Sequence, residues 1–266
     1  MLFKTFTLKT FINFFLLIAS LSMSAQEFQK EIFIWKTDTL PYNILVPVSF
    51  SKSVVDTSEY ILGNNKYPLI IFLHGSGERG TDNEIQIKHI NDLFTDSANL
   101  TKYPAFVVAP QCPLGKRWVE SDWKVSKHIM PENPSIPLEL TMELINEISR
   151  KYPIDSRRIY VTGLSMGGFG TWDLVCRYPG KFAAAIPVCG GGDTGKAGVL
   201  KSTPLWVFHG SDDKVVKVNL SRDMVNAVKK HGGIIKYTEY KGVGHDSWLK
   251  AYKEKELLEW LFKQTL

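Results

Sequence analysis

Residues 159–168 read IYVTGLSMGG: an apolar run, Ile159-Tyr160-Val161, then Gly163, then Ser165 among small residues, with Gly167, Gly168 and Gly170 close behind. A short, unbroken apolar run that stops at glycine is the pattern of a strand buried on both faces. Residues 167–178 follow it directly as a helical segment. A tight strand-to-helix turn is therefore expected at Ser165. Such a turn lifts the hydroxyl clear of the backbone, requires small flanking residues, and aims the first N–H groups of the helix at whatever the hydroxyl attacks.

Working outward, the same strand signature recurs at 69–75 (LIIFLHG), 106–110 (FVVAP), 183–190 (AAAIPVCG) and 205–210 (LWVFHG). Weaker, mixed patterns at 31–37 (EIFIWKT), 42–48 (YNILVPV, after Pro41) and 234–240 (IIKYTEY) suit strands near the sheet edges. Helical patterns at 137–152, 167–178, 215–231 (stopped by Gly232-Gly233) and 246–264 lie between or after them. This alternation predicts an α/β fold: a mostly parallel sheet with helices on both faces, forming one domain over residues 26–266. Gly191–Thr203 is too short and polar for a helical cap, so a minimal lid is expected.

A serine hydroxyl is a poor nucleophile without a base to take its proton and a carboxylate to orient that base. Two loops at predicted C-terminal strand ends can supply them: 209–216 (HGSDDKVV), with Asp212 and Asp213, and 242–246 (GVGHD), with His245. In a parallel sheet these ends share one edge with Ser165. The loop 74–80 (HGSGERG) offers backbone N–H groups to a developing oxyanion, Ser76 paired with Met166, or alternatively Gly77. His74, at the strand end, reads as a brace for that loop. The remaining histidines show no metal-ligand spacing and no complete nucleotide-binding glycine fingerprint is present, so neither metal nor cofactor is expected. Cys112, Cys176 and Cys189 form an odd set without a CxxC pair, which suits buried apolar thiols while leaving one disulfide open.

Together LHGSGERG, PQCP, GLSMGGFGTW, HGSDDKVV and GVGHDSW resemble the α/β-hydrolase superfamily, in particular phospholipase/carboxylesterase-like and polyhydroxybutyrate-depolymerase-like bacterial esterases, relatives of the catalytic domain of prolyl oligopeptidases. The resemblance runs from about residue 40 to 264. It implies the α/β-hydrolase fold, with Ser165 as nucleophile, His245 as base, Asp213 rather than Asp212 as acid, and Ser76 and Met166 N–H as oxyanion donors. The implied activity is hydrolysis of a carboxylic ester, small or polysaccharide-linked. Peptidase or acyltransferase chemistry would use the same triad, and a non-catalytic binding module on this scaffold is the alternative from another class.

The longest irregular stretch, 111–136, carries Trp118, Trp123 and Met130. These either wall the substrate pocket or form a local core under the loop. At the N-terminus, Lys4 and Lys9 precede the uncharged run 11–23, with Ser22, Ser24 and Ala25 before Gln26, the order of a cleaved secretory signal over residues 1–25. An uncleaved anchor is the other reading, although the run is short for a span. A secreted or periplasmic protein without a stable membrane span is expected. The net charge of +5 includes the two lysines of that segment, which holds no acid, leaving 30 basic against 27 acidic residues. That scattered excess gives no footprint for nucleic acid.

Overall fold

Alternate residues of the strand at Tyr67–Leu73 point to opposite faces, and both faces are apolar: Leu69, Ile71 and Leu73 enter one core, Ile70 and Phe72 the other. A strand of this composition has to lie inside a sheet covered on both sides. The structure, a computed structural model, describes residues 26–50 and 65–266. The expected secretory segment, residues 1–25, lies outside the described residues.

Eight strands form one sheet: β1 (Gln29–Trp35), β2 (Asp38–Leu45), β3 (Tyr67–Leu73), β4 (Phe106–Pro110), β5 (Ile154–Leu164), β6 (Ala184–Val188), β7 (Leu205–Gly210) and β8 (Ile235–Tyr240). Their order is β1-β2-β4-β3-β5-β6-β7-β8. The pairs from β4 through β8 are parallel, while β2 runs antiparallel to both β1 and β4. Every expected strand is present. β2 starts earlier than expected and contains Pro41, which lies opposite Ile32 of β1 and whose carbonyl accepts from Gln111 N–H just past β4 (2.8 Å), before β2 pairs with β4 from Tyr42 on. A residue without an N–H is tolerated at the end of a ladder, where its missing donor breaks no strand pairing.

Helices α3 (Ile136–Lys151), α4 (Met166–Arg177) and α5 (Asn219–Lys230) cover one face; α1 (Asn91–Thr95), α2 (Ser97–Lys102), α6 (Trp248–Ala251) and α7 (Leu257–Phe262) cover the other. Ser135 caps α3 through its hydroxyl, with Pro137 in the first turn. Two expectations need correction. The helix expected from residue 215 starts at Asn219; residues 213–217 instead form a turn in which the Asp213 carboxylate accepts from the N–H groups of Val215 and Val216. The single helix expected over 246–264 is two short ones, because Tyr252 and Leu257 are both buried against the sheet. On one continuous helix they would point about 140° apart. The turn between α6 and α7 turns both inward.

Residues 194–200 form a 3₁₀ turn packed down through Ala197 and Leu200, which agrees with a minimal lid. Among the described residues no helix is long and apolar enough to cross a membrane. After β3 the chain crosses to β4 on one side and then returns to β5 on the other, so the strand order reverses at the β3–β5 pair. A crevice opens beyond the C-terminal ends of strands at such a reversal.

Candidate active site

Ser165 stands at this reversal, one residue past β5 and one before α4, with φ 53° and ψ −116°. A left-handed conformation in a non-glycine residue costs on the order of 1–3 kcal/mol and persists only where its surroundings enforce it. Here the enforcement is backbone against backbone. A Cβ on Gly163 would meet the Gly167 carbonyl, one on Gly167 would land on the Leu73 carbonyl, and one on Gly168 would come within 2.5 Å of the Val188 oxygen. The Ser165 N–H donates to that same Val188 oxygen at 2.9 Å. The glycines of the quoted run are therefore set by the close packing of α4 on β3 and β6.

The loop after β7 and the loop after β8 are tied together by their backbones. Asp212 N–H donates to Val243 O (2.9 Å), Ser211 N–H to Tyr240 O (3.0 Å), and the Ser211 hydroxyl accepts from Gly242 N–H (2.8 Å). Gly210 has no room for a side chain, because the Val243 and Gly244 carbonyls lie directly on it. This pairing carries His245 to Ser165. Ser165 Oγ donates to His245 Nε2 at 2.8 Å, and His245 Nδ1 donates to Asp213 Oδ2 at 2.7 Å. The carboxylate acceptor fixes the tautomer, leaving Nε2 free to take a proton. The Asp213 carboxyl is buried whereas Asp212 is exposed and bonded to the Ser211 hydroxyl. Burial alone would raise the Asp213 pKa. Hydrogen bonds from His209, His245 and the Val216 N–H outweigh it and hold the carboxyl well below the usual carboxylate range.

Met166 opens α4, so its N–H belongs to the first turn, where no intrahelical carbonyl can accept it. Ser76 opens the 3₁₀ turn 76–78, and its carbonyl is held by Arg79 Nε at 2.8 Å. Gly75 fits only without a side chain, since a Cβ would lie 2.7 Å from Leu164 Cδ1. Gly77, the alternative donor, is exposed and has open space where a Cβ would stand. His74 braces this loop: its Nδ1 donates to Gly75 O (2.6 Å) and its Nε2 accepts from Cys112 N–H (2.8 Å). Burial lowers its pKa to about 4, so it is neutral.

The two tryptophans of the 111–136 stretch part company. Trp118 is fully buried, donates its indole N–H to His74 O (3.0 Å) and packs its ring on His74. Of the two readings, pocket wall or local core, Trp118 takes the core position: Gly170 leaves the space that Trp118 fills, as a Cβ there would come within 2.8 Å of it. Trp123 is half-buried beneath the Arg117 guanidinium, 4.6 Å from its ring centroid, and packs against the core, with its indole N–H buried and unpartnered.

Three residues near the site carried no such role in the sequence. Trp248 packs edge-on to His245, with ring centroids 5.3 Å apart, and its other side meets His89, which pairs with Glu78 at 3.3 Å. Its apolar helical spacing marked it only as core. His209 sits behind Asp213, four residues earlier in the same quoted run. Cys189 is buried at φ 40°, with its sulfur and the ligand atoms of Asp213 and His245 all within 4.8 Å of one another. That group has metal-ligand chemistry, but Asp213 and His245 already satisfy each other and burial pushes the Cys189 thiol pKa up, which keeps it protonated. All three cysteines are free and buried.

A bifunctional acetylxylan esterase/xylanase of Neocallimastix patriciarum is 31% identical to the chain over 74 residues, covering 28% of this chain and 11% of that protein. A probable carboxylesterase of Arabidopsis thaliana is 25% identical over 206 residues, 68% of this chain and 77% of that one. Among solved structures, a thermostable esterase superposes with TM-score 0.79 at 39% identity, covering 90% of this chain and 64% of its own. The chain thus spans a small part of the first of these relatives and just under two thirds of the solved structure. The phospholipase/carboxylesterase family model matches residues 62–255, which include the serine turn, the Asp213 loop and His245. With that match over most of its length, on an α/β-hydrolase sheet, the chain belongs to the phospholipase/carboxylesterase family.

Proposed function

We propose that the protein is a secreted or periplasmic serine esterase, with residues 1–25 as a cleaved signal and residues 26–266 as one catalytic domain. The observation that carries the catalytic reading is the unbroken hydrogen-bond line from Ser165 Oγ through His245 to Asp213, at 2.8 and 2.7 Å. His245 Nε2 takes the hydroxyl proton as Ser165 Oγ bonds to the ester carbonyl carbon. The carbonyl oxygen becomes an oxyanion held by the Ser76 and Met166 N–H groups. Collapse breaks the carbon–oxygen bond to the leaving alcohol, which departs with the proton from His245. Water, deprotonated by His245, then cleaves the acyl-enzyme, releasing the acid and restoring Ser165. Asp213 steadies the imidazolium in both halves.

In place of a helical cap, residues 194–200 form only a short turn packed on the core, which favours esters borne on a large carrier such as an acylated polysaccharide. The acetylxylan esterase relative supports the same substrate class. Fluorophosphonate labelling and a p-nitrophenyl acyl-length panel beside feruloyl and acetyl-xylan substrates test the proposal. The expected result is an adduct on Ser165, absent in Ser165→Ala, with turnover of acylated polysaccharide. No adduct in folded protein would sink the esterase reading. Faster product formation with added acceptor alcohol would redirect it to acyl transfer.

A further inference from the structure

We propose that His209 is a positioning residue for this site: from the buried side of Asp213 it donates Nε2–H to Oδ2, the same oxygen that receives Nδ1–H of His245. The proposal rests on the esterase reading above, in which Asp213 orients the base.

The protonation of His209 follows from its neighbours. Nε2 faces only acceptors, Asp213 Oδ2 at 3.1 Å and Val216 O at 3.0 Å, so it must carry a hydrogen. Nδ1 lies 2.7 Å from the Ser221 hydroxyl on α5, whose single hydrogen has two acceptors in reach, Nδ1 and Gly190 O at 3.0 Å. His209 and Ser221 are fully buried. A continuous polar line therefore runs from Gly190, just past β6, through Ser221, His209, Asp213 and His245 to Ser165.

The count of donors on Asp213 gives this line its effect. Oδ1 accepts from Val215 N–H (2.8 Å) and Val216 N–H (2.9 Å), and Oδ2 accepts from the two histidines, which fills the four acceptor positions of a carboxylate. Four donors on three segments leave the carboxylate one orientation. His209 also draws part of the charge of Oδ2 away from His245. Without its N–H, more negative charge faces His245, which then holds its proton more tightly. The other charged or titratable groups around His209 are Glu239, its cross-strand partner on β8, which is paired with Arg222 of α5, and, near Asp213, Cys189 at the end of β6 and Asp246 beside His245. None of these donates to Asp213, so none replaces the lost hydrogen bond.

The test compares His209→Leu, which keeps bulk without a donor, with His209→Gln, whose amide nitrogen can occupy the place of Nε2. His209→Leu is expected to lower kcat about 10- to 100-fold, with KM within about twofold, and to move the acid limb of the kcat/KM profile upward by about half a pH unit or more. His209→Gln is expected to recover activity to within about fivefold of the parent, with the limb restored. Equal losses in both variants, or an unmoved limb, would reduce His209 to a packing residue and overturn the proposal. Should His209→Leu fail to fold, the ¹⁵N spectrum of histidine-labelled parent protein decides: a protonated His209 Nε2 supports the proposal and a bare one overturns it. Ser165→Ala separates the two readings. If it abolishes activity while His209→Leu changes nothing, only the positioning role falls; if it leaves activity intact, the esterase reading falls.

Discussion

The loop after β3 and the loop after β8 each place a histidine at the same edge of the sheet, and their surroundings differ in kind. His74 spends both ring nitrogens on backbone, donating to Gly75 O and accepting from Cys112 N–H, with no exposed surface. His245 spends its nitrogens on two side chains, Ser165 and Asp213, and its side chain is 20% exposed. Backbone partners that cannot change protonation freeze an imidazole into structure. A hydroxyl on one side and a carboxylate on the other leave it able to gain a proton, be stabilised when charged, and give the proton away.

The contrast breaks most visibly at the base. His245→Ala, like Ser165→Ala, is expected to cut kcat by about 10⁴-fold or more while the melting temperature stays close to that of the parent. Retained hydrolysis with either variant would remove the difference between the two histidines. Next in size is the acid. Asp213→Asn should cost about 10³- to 10⁴-fold in kcat by upsetting the tautomer of His245, whereas its exposed neighbour tolerates Asp212→Asn with activity within about twofold. Steady-state kinetics on the pair settle which carboxylate orients the base.

On the structural side, His74→Ala should destabilise the fold by about 3 kcal/mol in urea titrations, because it leaves Cys112 N–H and Gly75 O buried without partners. Its effect on kcat should be far smaller than that of His245→Ala. A pH series sharpens the point. The folded-state pKa of His74 is lowered to about 4, below its ordinary value of 6.5, by burial. Between those values the unfolded chain binds the proton and the folded one does not, so stability is full above about pH 6.5 and falls as the pH drops. His74 should contribute up to about 2 kcal/mol of lost stability between pH 6.5 and pH 5, and replacing it should flatten that part of the curve. The smallest effect is expected at Gly77→Ala, within about 0.5 kcal/mol in stability and twofold in kcat/KM, since the added methyl enters open space. A large activity loss there would move the oxyanion donor from Ser76 to residue 77.

Much of this architecture is legible in the sequence. Buried parallel strands are unbroken apolar runs, and the glycines at 163, 167 and 168 announce a turn that only glycine can pack. That Ser165, Asp213 and His245 gather at one place was legible because each lies in a segment that follows the C-terminal end of a parallel strand. What the pattern could not supply was the facing of side chains in stretches without periodicity. Trp118 and Trp123 lie in residues 111–135, where no repeat says which way a side chain points, and only the contact with His74 and the space at Gly170 show that Trp118 belongs to the core. His209 was hidden for a related reason: its spacing to Asp213 resembles any strand end, and the bond between them depends on how the chain turns through residues 210–212. The break between α6 and α7 likewise follows from tertiary demand on Tyr252 and Leu257, not from a helix-breaking residue.

The backbone ties between residues 210–212 and 240–243 have a consequence for how the protein would lose activity. β8 is the edge strand opposite β1, and its loop is held to the loop after β7, so the acid and the base share the fate of that margin of the sheet, while the serine turn is anchored between central strands. Edge elements open more readily than the interior. Gentle warming or low denaturant should therefore silence turnover before the core melts, with Ser165 still in its native turn and activity returning as the margin closes again.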